Sequence, residues 1–154
     1  VDNIIIHNLA DVPEHIPVVA GWLNEEWGAI RSELIDQTLD LLARSALKDR
    51  WPFVLVALKN GIPIGTASLI LDDMRTRPDL TPWLADVYVA KTARKGGIGR
   101  KLVETVELEA SRLGLETIYL FTASNTALYE FLGWGLLESA EYRGEPVRIM
   151  TKKL

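Results

Sequence analysis

Residues 83 to 122 read as strand, glycine-rich loop, helix and strand, and no other part of the chain limits the fold so tightly. Trp83 to Val89 is rich in β-branched and aromatic residues and is broken only by Asp86. Gly99 to Leu113 sets Leu102, Val106, Ala110 and Leu113 on one helical face, with Glu104, Glu107 and Arg112 elsewhere. Thr117 to Thr122 is again a strand pattern. Two neighbouring strands joined through a helix must run parallel, and such a crossover is right-handed.

The loop inside this unit carries chemistry. Residues 94 to 100 read Arg-Lys-Gly-Gly-Ile-Gly-Arg. Bare backbone N–H groups at a positive helix end form a seat for an anion. Gly96, Gly97 and Gly99 leave room for close approach, and Arg94, Lys95 and Arg100 add cationic donors suited to phosphate oxygens. A P-loop is excluded, because Gly99 is followed by Arg100, Lys101 and Leu102, with no hydroxyl for a magnesium ion. A dinucleotide fingerprint is excluded as well, because its third glycine falls on Leu102.

The string Arg94-Lys95-Gly96-Gly97-Ile98-Gly99 instead resembles the acyl-CoA loop of the GNAT acetyltransferase superfamily, with Arg94, Gly97 and Gly99 in their places. A second segment, Leu-Phe-Thr-Ala-Ser-Asn-Thr-Ala-Leu-Tyr-Glu-Phe-Leu-Gly-Trp at 120 to 134, resembles that superfamily's later strand, short helix and Gly-aromatic pair. The two segments stand in the right order and cover about residues 84 to 135. Two positions depart from the common pattern: Lys91 stands where many members have Pro, and Asn125 lies four rather than seven residues before Tyr129.

The resemblance implies an α/β (α+β) GNAT fold, with a mixed sheet of about seven strands flanked by about four helices, in one domain over 1–154. It implies an acetyl-CoA-dependent N-acetyltransferase acting on a primary amine of a small molecule or peptide, by direct attack in a ternary complex. A CoA-binding regulatory or sensor module on the same fold is the alternative. The loop residues Arg94, Lys95, Gly96, Gly97, Ile98, Gly99 and Arg100 would hold the pyrophosphate of the cofactor. The backbone of Val87, Tyr88 and Val89, freed by a bulge or splay, would meet its pantetheine arm and the thioester carbonyl. Tyr129 would protonate the departing thiolate. Asn125 either contacts CoA or caps the short helix. The family often pairs through its C-terminal strands, so a homodimer is a further expectation.

Other readings come from the residues themselves. Asp86 is a carboxylate in an apolar strand, and burying it alone is expensive. It serves either as general base or as a structural acceptor. Glu25 and Glu26 are weaker base candidates on a solvated face. Trp27, Arg75, Arg77 and Tyr142 are expected to line the acceptor side, and Trp22, Trp51 and Trp134 to pack in the core. Strands are expected at Ile4 to His7, Pro52 to Leu58 and Ile62 to Leu71, the latter two joined at Asn60-Gly61. A final hairpin is expected from Trp134 to Tyr142 and Glu145 to Lys152, across Arg143-Gly144. Helices are expected over Ile16 to Trp27, Leu34 to Leu47 and Thr126 to Leu132.

Composition sets the outer limits. A net charge of −4, with the cations of 91 to 101 confined to one loop, gives no basic stripe for nucleic acid. No apolar run reaches the roughly 18 residues of a membrane span. The start, Val-Asp-Asn-Ile-Ile-Ile-His, lacks the basic region and cleavage site of a signal peptide, and the absent initiator Met suggests a trimmed chain. A cytoplasmic protein is the expectation. Cysteine is absent, so a cysteine nucleophile is excluded. With His7 and His15 away from the motif and no carboxylate cluster beside them, no metal site is expected.

Overall fold

The computed structural model describes residues 3–154. Seven strands form one sheet in the order β1-β2-β3-β4-β5-β7-β6. They are β1 (Ile4–Asn8), β2 (Phe53–Lys59), β3 (Ile62–Ile70), β4 (Trp83–Val89), β5 (Thr117–Thr122), β6 (Gly135–Tyr142) and β7 (Glu145–Lys153). The helices are α1 (Ile16–Arg31), α2 (Ile35–Ser45), α3 (Ile98–Arg112) and α4 (Thr126–Phe131). Every strand pair is antiparallel except β4 and β5, which run parallel across the α3 crossover. The mixed GNAT-type sheet expected from the sequence is therefore present. The first helix runs four residues further than its apolar pattern indicates, to Arg31, and α3 begins one residue earlier, at Ile98.

Strand β2 shows why the sheet is a central layer. Phe53, Leu55 and Ala57 face α3, while Val54, Val56 and Leu58 face α1 and α2. A strand covered on both faces needs apolar residues at every position, which the run Phe-Val-Leu-Val-Ala-Leu supplies. The α3 face is closed by Leu102, Val103, Val106 and Ala110, all fully buried. The two hairpin turns place consecutive residues at positive φ, Asn60 and Gly61 in one, Arg143 and Gly144 in the other. Those angles suit the twist of a tight hairpin.

Strand β4 breaks its own alternation. Leu84 packs in the α3 core, and so do Val87 and Val89, three and five residues on. Thr66 pairs with Tyr88 and Ser68 with Ala85, so Asp86 and Val87 together stand opposite Ala67. This is a β-bulge, and Asp86 carries its left-handed backbone at φ 56°. The side-chain period slips by one, and Tyr88 turns toward α1, where its ring lies 5.4 Å from that of Trp22. Trp22 and Trp51 are half-buried against the two main core clusters, and Trp134 is buried.

The helix α3 sits close over β3 because Gly65 has no side chain. A Cβ there would meet Leu102 Cδ1 at 3.0 Å, the Tyr88 carbonyl oxygen at 3.1 Å and Ile98 Cγ2 at 3.3 Å. Gly65→Ala is expected to cost about 1–3 kcal/mol through overpacking. Urea unfolding should show this as a lower midpoint with unchanged slope.

Candidate active site

β4 and β5 separate along the sheet. Their register is confined to Trp83 opposite Tyr119, where the Tyr119 amide donates to the Pro82 carbonyl at 3.0 Å. Beyond that point β4 keeps its β3 partners, Thr66 for Tyr88 and Gly65 for Val89. Its other edge opens into a cleft of about 560 Å³ lined by Val87, Tyr88, Val89, Gly99, Asn125 and Tyr129. The sequence expectation of a bulge or a splay is met by both at once.

The glycine loop lies at the end of this cleft. Gly97 stands at φ 79° as the residue capping α3, with nothing within 4 Å of a built Cβ. Lys95, at φ 68°, Gly96 and Gly97 are exposed. Arg94 lines the cleft, where its Nε donates to the Val89 carbonyl at 2.9 Å and its guanidinium lies 5.5 Å from the Tyr88 ring centre. The side chain of Ile98 is buried in the core, so only its backbone can serve a ligand. Arg100 turns elsewhere: its Nε donates to Glu104 at 2.8 Å and its guanidinium lies over Phe131, on a different groove of the surface.

Tyr129 sits on α4, buried against Trp134 with ring centres 6.1 Å apart. Trp134 Nε1 donates to Glu107 Oε2 at 3.2 Å, and Lys152 Nζ donates to Glu107 Oε1 at 2.6 Å. These bonds fix the indole that backs the phenol. Burial pushes the Tyr129 phenol up to about 12, so it stays protonated at neutral pH. Asn125 precedes α4, but its side chain makes no capping bond. Thr122 Oγ1 accepts from the Asn125 amide at 3.0 Å and the Ser124 amide at 3.4 Å, which orders the turn ahead of the helix. Of the two roles read for Asn125 the cap is absent, and its exposed side chain lines the cleft.

Asp86 is paired. Arg31 Nη2, from the last turn of α1, donates to Asp86 Oδ1 at 2.6 Å. Burial works against the Arg31 charge, but the Asp86 carboxylate outweighs it and holds the guanidinium above its ordinary value. Arg31 also lies 5.1 Å from the Trp27 ring centre. Of the other expected liners, Trp27 and Tyr142 border the cleft, and Arg75 borders an adjoining cavity. Arg77 borders neither, because it is tied to Asp79 at 3.0 Å and to Glu138. Glu26 lies at the mouth of the cleft and is exposed, while Glu25 is exposed and outside it.

The adjoining cavity, of about 390 Å³, shares Arg31, Asp73, Asp86 and Arg143 with the cleft. Loss of water and the nearby Asp86 carboxylate push the Asp73 carboxyl up to about 7, against the pull of Arg31 and Arg143. Sequence reasoning passed over Asp73, Arg31 and Arg143. Asp73 reads as one more polar residue of a loop, and no local pattern joins the end of α1 to β4.

The fold and cleft define an acyltransferase-type α/β protein, and comparison with known proteins gives the family. A family model described as the Acetyltransferase (GNAT) family matches residues 17–134, and the chain belongs to that family. Solved structures share the fold. An aminoglycoside 6'-N-acetyltransferase complexed with coenzyme A superposes with a TM-score of 0.75 at 18% identity, over 97% of this chain and 96% of that one. An N-acetyltransferase from Staphylococcus aureus Mu50 gives 0.75 at 17%, over 98% of each. The yncA protein from Salmonella typhimurium, solved with acetyl-CoA, gives 0.72 at 21%, over 99% of this chain and 94% of that one.

The Arg31–Asp86 pair ties α1 to the bulge. Arg31→Met leaves a largely buried carboxylate without its donor and is expected to lose about 2–3 kcal/mol. Combining it with Asp86→Asn should cost less than the sum of the single changes, as a double-mutant cycle in denaturant will show.

Proposed function

We propose that the chain is a single acetyl-CoA-dependent N-acetyltransferase domain that acts on a primary amine. The observation that carries this is the cleft itself, where the unpaired edge of β4, the glycine loop and the Tyr129 phenol border one space. The fit to the cofactor rests on the open, positive-φ turn at Gly97 and on the cations beside it. Two proteins of the same fold were solved with coenzyme A or acetyl-CoA, which supports the choice. No helix among the described residues is long and apolar enough to cross a membrane.

When bound, acetyl-CoA supplies the thioester carbonyl that the amine attacks. The amides of Gly97, Ile98 and Gly99 would hold the pyrophosphate at the start of α3, with Gly96, Arg94 and Lys95 alongside. Arg94 is pre-set for this by its bond to the Val89 carbonyl. Backbone N–H groups of Val87 and Val89, on the edge that β5 leaves, would orient the pantetheine arm and steady charge on the carbonyl oxygen, whereas the Tyr88 amide faces β3 opposite Thr66, against the sequence expectation for that residue. Asn125 would add a polar contact at the cleft wall. Tyr129 would give its proton to the departing sulfur. Asp86, bound to Arg31, holds the bulge that aims this backbone.

Two variants test the reading. Tyr129→Phe is expected to lower kcat about a hundredfold while leaving the acetyl-CoA dissociation constant unchanged. Gly97→Val forces a β-branched residue to φ 79° and is expected to weaken coenzyme A binding about tenfold in calorimetry. Tight CoA binding with no thiol release from acetyl-CoA, across amines, peptides and aminoglycosides, would favour a sensor over an enzyme.

A further inference from the structure

The cavity next to the cleft has the marks of a second ligand site. Its walls are apolar on one side, with Leu23, Leu41, Leu42, Val54 and Ile70 from α1, α2, β2 and β3. Ser68 on β3 also lines it; this side chain is 1% exposed, and its hydroxyl has no hydrogen-bond partner among the described residues.

The charged end of the cavity is its junction with the cleft. Arg31 and Asp86 neutralise each other there. Glu33 is engaged by Thr38, whose hydroxyl donates to Oε1 at 3.0 Å. The side chains left without an ion pair among the described residues are of both signs: Asp72 and Asp73 against Arg75 and Arg143. Arg143 stacks on Tyr142 at 4.8 Å, which holds its guanidinium at the rim. A donor in the cleft and an acceptor in the cavity can meet only where the two spaces join, at Arg31, Asp73, Asp86 and Arg143.

From this arrangement we infer that the cavity is the acceptor chamber for a zwitterionic amino compound with a compact apolar side chain, an amino acid or close analogue. Asp73 receives the proton of its ammonium group, Arg143 and Arg75 hold its carboxylate, and Leu41, Leu42 and Val54 enclose its side chain. This rests on the acetyltransferase reading and names its substrate class. A hydroxylated polyamine fits poorly, since it brings extra cations toward Arg75 and Arg143 and extra hydroxyls toward apolar walls.

The proton balance is simple. Asp73 takes one proton from the ammonium, which frees the nitrogen lone pair, and passes it to water. The nitrogen–carbon bond forms and the carbon–sulfur bond breaks. A second nitrogen proton is released to water, the third stays on the amide, and Tyr129 gives the sulfur its proton before being reprotonated from water. Asp86 already has its Oδ1 engaged by Arg31 at 2.6 Å, so the first step falls to Asp73, which has no ion pair among the described residues. Asp73 acts in its carboxylate form, so the rate should rise with pH through about 7. The charges facing Asp73 are those of Asp86 on β4, Arg31 on α1, Arg143 in the β6–β7 turn and Asp72 beside it.

The test compares L-leucine, isoamylamine (the same skeleton without the carboxylate) and kanamycin by thiol release from acetyl-CoA, and titrates each into the coenzyme A-loaded protein by calorimetry. L-leucine is expected to exceed isoamylamine about tenfold or more in kcat/KM and to be the only one with a clear binding isotherm. Arg143→Ala should narrow that ratio. Asp73→Asn, nearly isosteric, should lower kcat about a hundredfold and erase the limb near pH 7, leaving only the ionisation of the amine at higher pH. Preference for isoamylamine or kanamycin, or an unaltered pH profile in Asp73→Asn, overturns the inference. If acetyl-CoA itself fails to bind the wild-type protein, the acetyltransferase reading falls with it. If acetyl-CoA binds and L-leucine does not, the chamber assignment alone falls.

Discussion

Asp86 sits at a left-handed backbone angle in the middle of a strand, and a guanidinium from the end of α1 holds its carboxylate there. Such a backbone costs on the order of 1–3 kcal/mol for a residue other than glycine, so it persists only under restraint. The restraint is supplied twice, by the ion pair and by the packing that the extra residue produces. Val87 and Val89 fall on the α3 core, while Tyr88 meets Trp22 on the opposite face. The bulge therefore couples α1, β4 and α3, and leaves a strand edge bent away from β5. Without it β4 would continue its alternation, and Val87 and Val89 would turn from α3.

Burial shapes the electrostatics of the cleft more than any single charge. Loss of water on burial holds the Asp73 proton up to about neutrality, with the Asp86 carboxylate adding to it and Arg31 and Arg143 pulling against it. Tyr129 borders the same cleft, and burial keeps it protonated. Both groups thus keep their protons to higher pH than they would in water, for the same reason of burial.

Much of the fold was legible because its cues are local. The hairpin at Asn60-Gly61 follows from residues that accept positive φ, and the continuous apolar run of β2 from being covered on both faces. The helical face of Leu102, Val106 and Ala110 lies where its spacing puts it. The site was legible in part. The glycine loop and Tyr129 are carried by contiguous motifs, and the structure brings both to one cleft. Of the two readings of Asn125, contact with CoA or a helix cap, the cap fails: Asn suits that position by type, but its side chain makes no such bond. Arg77 was placed at the site by its loop, but its two carboxylate partners hold it outside.

By itself the sequence determined the order of elements, the parallel crossover around α3 and the glycine turn. Each depends on residues within one or two turns of chain, where propensity and spacing decide the outcome. Tertiary structure alone decided the meeting of Arg31 with Asp86 across 55 residues, the paired borders of cleft and cavity, and the hydroxyl of Ser68 left over inside. Those depend on which faces of distant elements pack together, and the energy of a charge or a hydroxyl is set by the groups that packing brings to it.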